Sequence, residues 1–152
     1  MKTEFTLPDD TTISYTRTFA APAERVWQAC TDPQVVRTWM LGPSEDTTFE
    51  VCDMDIREGG SFRWVWLDPD GRLEIYGDVL EVDAPRRLVT TEQMGGTDWP
   101  PTHNVVELTE QDGRTVLTGT IRYPSKEARD GAYASGMADG MDVSFARLDE
   151  AA

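Results

Sequence analysis

The most constraining stretch of this chain is its last, residues 125–150, which reads as one amphipathic helix following a long run of strand-like segments. Ser125 follows Pro124 and suits a helix cap, and Lys126-Glu127-Ala128-Arg129 reads as the first turn. Two rows then run side by side at helical spacing. Ala128, Ala132, Gly136, Gly140 and Ser144 make a small row, and Tyr133, Met137, Met141, Phe145 and Leu148 a large one. Two glycines inside a helix each cost up to about 1 kcal/mol against alanine. Close packing beside the small row, or open space there, is expected to offset that cost. Such a helix needs an apolar surface to lie on.

The preceding segments supply it. Residues 12–19 alternate, with Ile13, Tyr15 and Phe19 on or near one face, and read as a strand. Pro22 suits the first turn of a helix running to Cys30, with Val26, Trp27 and Cys30 at core spacing. Thr31-Asp32-Pro33 ends that helix and caps a second, residues 34–39, which Gly42-Pro43 closes. Strands are then predicted at 47–53, 61–67, 73–82, 88–94, 103–110 and 114–123. Asp68-Pro69-Asp70-Gly71 and Gln111-Asp112-Gly113 carry turn chemistry between two pairs of them. Residues 1–10 read as a loosely held lead-in, and 95–101 as a loop. Successive hairpins make an antiparallel sheet, and strong twist curls it so that one helix fits the concave side. The expected class is therefore α+β: a curved seven-stranded antiparallel sheet around a long C-terminal helix, with two short helices after strand 1. One domain over 1–152, with its core at about 12–150, accommodates all of it.

Charge and cysteine usage narrow the function. With 28 acidic against 14 basic residues, the net charge is −14, which repels nucleic-acid phosphate and anionic lipid headgroups. Neither nucleic acid nor a membrane is an expected partner. No apolar run follows Lys2, so no secretory signal is expected and the chain reads as cytoplasmic. Cys30 and Cys52 are far apart and read as thiols rather than a disulfide. The single histidine, His103, excludes multi-histidine zinc sites and reads as a polar residue at the start of a strand. No metal, cofactor or catalytic set is expected. Asp55-Ile56-Arg57-Glu58-Gly59-Gly60 lacks the helix and Lys-Ser/Thr of a phosphate loop and reads as a tight turn.

Two groups of residues are candidates for a site. Trp39, Trp64, Trp66, Tyr76, Met94, Trp99, Met137 and Met141 form the apolar set from which a pocket is lined. Glu92 and Glu107 lie within strands, and a carboxylate pointing inward there would have a raised pKa and hold a polar ligand group.

The chain also resembles a known family over roughly residues 13–149. The resemblance is carried by Arg17-Thr18-Phe19-Ala20-Ala21-Pro22-Ala23-Glu24-Arg25-Val26-Trp27 with Thr31-Asp32-Pro33, and by Trp39 with Gly42-Pro43. It continues through Asp55-Ile56-Arg57-Glu58-Gly59-Gly60-Ser61-Phe62, Gly77-Asp78-Val79-Leu80-Glu81-Val82 and Pro85-Arg86-Arg87-Leu88. Ser125-Lys126-Glu127-Ala128-Arg129-Asp130 and Gly136-Met137 through Gly140 complete it. In this ordered set the chain resembles the START-like, or SRPBCC, helix-grip superfamily, and within it the bacterial proteins related to the activator of the heat-shock-protein ATPase. It departs from that pattern at Met40-Leu41, in place of a second tryptophan, and at Met141, where a tryptophan commonly stands. Both changes alter the shape of a pocket. The resemblance implies a helix-grip fold whose members include lipid carriers, polyketide cyclases, hydroxylase domains and co-chaperone modules. The leading expectation is a non-catalytic protein that binds a small hydrophobic or aromatic molecule between the C-terminal helix and the sheet. A co-chaperone-like protein-interaction module is the second reading, and a cyclase- or hydrolase-type enzyme the third.

Overall fold

Short turns with dedicated residues set the course of the sheet. The computed structural model describes residues 2–42 and 45–152. In it β4 (Ser61–Asp68) returns as β5 (Gly71–Asp83) through two residues, the Asp70 amide donating to Asp68 Oδ1 at 2.8 Å. β7 (Thr102–Gln111) returns as β8 (Arg114–Arg122) through Asp112 and Gly113, both at positive φ as a tight hairpin turn requires. With β1 (Glu4–Asp9), β2 (Thr12–Phe19), β3 (Thr48–Met54) and β6 (Arg87–Met94) they make one antiparallel sheet of order β1-β2-β8-β7-β6-β5-β4-β3.

That is eight strands where the sequence suggested seven. The additional one is β1, drawn from the expected lead-in. Phe5 pairs with Tyr15 in register and their rings lie 6.0 Å apart, which gives this short edge segment a reason to be ordered.

Helices α1 (Ala23–Thr31) and α2 (Pro33–Trp39) connect β2 to β3. The Ala23 amide donates to Glu110 Oε1 at 2.7 Å at the start of α1, and Asp32 caps α2 by accepting from the Gln34 amide at 2.9 Å. Pro43, named above in the closure of this helix, lies outside the described residues.

The expected long helix is two. α3 (Lys126–Ala134) begins where predicted, with Ser125 Oγ accepting from the Ala128 amide at 3.1 Å. It stops at Ser135, and α4 (Met137–Ala151) restarts after Gly136, whose φ of 88° is left-handed. A glycine in that conformation is a standard helix stop. The glycines of the small row accordingly do not bear on the sheet: Gly140 is exposed, and a Cβ there or at Gly136 would meet nothing within 4 Å.

The large row does. Phe145 and Leu148 of α4 pack with Phe19, Val26, Leu108 and Leu117, and Leu148 is fully buried. Phe145 meets Phe19 edge-on at 5.7 Å and lies 5.9 Å from Tyr15. This is the closed end of the concave side.

Candidate functional site

Strand registers decide which side chains share the space under α4. Trp64, Ile75 and Met94 pair across β4, β5 and β6, and two-residue alternation puts Glu92 on the same face as Met94. Thr102 faces Glu92 from β7, and alternation adds Asn104, Val106 and Leu108. Ile121 and Gly119 continue the face on β8, and Tyr15 on β2 lies over Gly119, where a Cβ would fall inside the tyrosine ring. Only glycine permits that approach.

This region is less tightly packed than the closed end. Trp64, Ile75, Met94, Val106, Met137 and Met141 are half-buried although all point inward or lie under the helix. Inward apolar groups that keep accessible surface mark the space between α4 and β4–β7 as less closely packed, and it is the candidate hollow.

A hydrogen-bonded polar cluster sits in it. The Asn104 amide donates to Glu92 Oε2 at 2.5 Å, and Thr102 Oγ1 donates to Asn104 Oδ1 at 3.0 Å, fixing the amide's orientation. Burial pushes the Glu92 carboxyl up to about 7, against which the Asn104 bond is a smaller, lowering effect. Around it, burial also raises the Cys30 thiol and the Tyr123 phenol to about 12 each, and the nearby Glu92 adds to the rise at Tyr123. Tyr15 is raised further, by burial first and then by Glu92, Cys30 and Tyr123. The Tyr123 hydroxyl donates to Met137 Sδ at 3.6 Å, tying the start of α4 to the end of β8.

Of the residues proposed from sequence, Trp64, Glu92, Met94, Met137 and Met141 come together here. Trp64 Nε1 is buried with no hydrogen-bond partner among the described residues. Trp39 and Trp66 do structural work instead: Trp39 Nε1 donates to Ala29 O at 2.7 Å, and Trp66 Nε1 to Met40 O at 2.9 Å while stacking on Phe49 at 4.7 Å. Three leave the set. Tyr76 alternates onto the convex face opposite Arg63, and Trp99 is 62% exposed in the loop before β7. Glu107 is exposed on the outer face, where it accepts from Arg87 at 3.0 Å. Asn104, Tyr123, Tyr15 and Cys30 were not proposed. Asn104 was findable, since it stands in phase with Val106 and Leu108.

Two shallow depressions lie elsewhere, one on the convex side by the Arg63–Glu74 ion pair and one at the β3–β4 edge beside Asp53 and Asp55. Both are open to solvent and would leave a ligand hydrated. Among the described residues no group of three or more His, Cys, Asp or Glu is placed to hold a metal, and no helix is long and apolar enough to cross a membrane. Cys30 and Cys52 are free thiols.

Residues 20–152 match the family model described as Activator of Hsp90 ATPase homolog 1-like protein. No curated protein matches the chain. Among solved structures, a protein from Rhodobacter sphaeroides is 28% identical with a TM-score of 0.91, over 98% of this chain and 96% of its own. Protein Ms6760 from Mycobacterium smegmatis is also 28% identical, with a TM-score of 0.87 over 99% and 96%. CalU16 from Micromonospora echinospora, 24% identical with a TM-score of 0.62 over 99% and 96%, shares the fold.

Proposed function

The chain belongs to the activator of Hsp90 ATPase homolog 1-like family, and on that premise we propose that it binds a small apolar or aromatic molecule, without transforming it, in the hollow between α4 and β4–β7. The observation that carries this reading is the Glu92–Asn104 pair, an oriented polar group set among half-buried apolar side chains. A concave, mainly apolar space with few convergent polar groups is the usual form of a small-molecule site. Met137 and Met141 line the helix side, and their unbranched, flexible chains adapt to an irregular guest.

Titration with the neutral fluorophore N-phenyl-1-naphthylamine tests it. Saturable binding is expected, weakened about tenfold or more by Met141→Trp, because an indole there fills the space a guest needs. Undiminished binding to a well-folded Met141→Trp variant places the guest elsewhere and overturns the reading. Native mass spectrometry of protein from its own host supplies an independent check, with a retained small molecule expected and a co-purified protein in its place contrary to it.

A further inference from the structure

Glu92 has no counter-charge among the described residues. Asn104 bonds only Oε2, and among the described residues no basic side chain lies close enough to lower the carboxyl. The buried arginines are already committed. Arg17 pairs with Asp149 at 3.7 Å, and Arg129 bonds Asp130 and the carbonyls of Asp9 and Thr12. Resting on the reading of the hollow as a binding site, we propose that its ligand is an amphipathic cation, an apolar or aromatic body bearing a protonated amine, with Glu92 as its counter-ion.

Four features converge on that class. A carboxylate held away from water without a counter-charge is costly, and an incoming ammonium offsets the cost as a neutral guest does not. Oε1 is left free to accept the ammonium N–H while Asn104 holds the other oxygen in place. Tyr15 and Tyr123 stand close enough to feel the Glu92 charge, and a phenol oxygen can accept from an ammonium. The net charge of −14 draws cations and repels anions over the whole surface. The titratable groups that interact with Glu92 are Tyr15 of β2 and Tyr123 after β8, with Cys30 of α1 beside Tyr15; β5 and β7 present Ile75, Gly77, Thr102 and Asn104, and α4 presents methionines. None of these supplies a positive charge. With its carboxyl at about 7, Glu92 gains its charge as the pH rises through neutrality, so cation binding strengthens in that direction.

Calorimetric titration with 1-naphthylmethylammonium and 1-naphthylmethanol, which share one apolar body, decides the matter. At about pH 8 the ammonium is expected to bind about tenfold or more tighter than the alcohol, with the gap closing by about pH 5.5. Glu92→Gln should abolish the preference by bringing the ammonium down to the alcohol's affinity, while Glu107→Gln, the same charge change on the outer face, should preserve it. Equal affinities for the two probes, or a preference that survives Glu92→Gln, overturn the proposal while the apolar hollow stands. Binding of neither probe overturns the proposal together with the reading beneath it.

Discussion

The Asn104 side chain donates to Glu92 Oε2 across two adjacent strands at 2.5 Å, the one direct bond between side chains that joins β6 to β7 on the concave face among the described residues. It ties the polar point of the hollow to the rigid middle of the sheet rather than to a loop. Most of the surrounding surface is apolar, so on the proposed reading a guest would take its orientation from this pair.

Replacing Glu92 with glutamine should change how stability depends on pH. The carboxyl rises from its ordinary 4.5 to about 7 in the folded protein, so the native state keeps its proton where the unfolded chain has lost it. Its contribution is full below the lower value and is lost as pH rises through the upper one. Glu92→Gln should therefore remove that decline and be more stable than the parent by roughly 1–3 kcal/mol at about pH 8. Urea melts across this range check it, and a variant that is less stable at the upper end contradicts it.

Leu148→Ala should destabilise by about 2–5 kcal/mol, because Leu148 is wholly buried where α4 seats against the sheet. The same melts measure it. An effect below about half a kcal/mol would mean that α4 is not seated there.

Glycines on the helix and in the sheet should respond oppositely. Gly140 lies inside α4 with open space where a Cβ would stand, so Gly140→Ala should stabilise by up to about 1 kcal/mol. Gly119 lies beneath the Tyr15 ring, so Gly119→Ala should cost roughly 1–3 kcal/mol and displace that ring. Thermal melts give both signs, and the near-ultraviolet tyrosine signal reports the displacement.

Arg129 is the one buried residue of α3, and its guanidinium donates to carbonyls at the β1–β2 turn. Arg129→Leu keeps the bulk but leaves those carbonyls without their donor, at a cost of about 1–3 kcal/mol. Hydrogen exchange should accelerate first in α3. Uniform acceleration across the sheet would show that this arginine supports the whole fold instead.

Neighbouring residues decided most of what was legible in the sequence. Asp32 and Ser125 cap the helices they precede, and Asp112-Gly113 turns β7 into β8, because a cap or a tight turn involves only a few consecutive residues. Period-two alternation likewise placed Phe62, Trp64 and Trp66 on one face without reference to the rest of the chain. Alternation does not say which face is concave. Contacts between distant segments decided that, and they put Glu92 inside with Asn104 while Glu107 went outside to meet Arg87. They also recruited residues 4–9 as a strand, since Phe5 finds its partner in Tyr15 only once the sheet exists. The break at Gly136 needed a left-handed conformation, which glycine permits but does not compel, so helical spacing ran through it in sequence while the packed chain stopped there. The sequence by itself determined the kinds of element and the places where they turn, because those rest on local sterics and hydrogen bonding. The tertiary structure alone decided which side chains face the hollow, because burial is settled between segments that lie tens of residues apart.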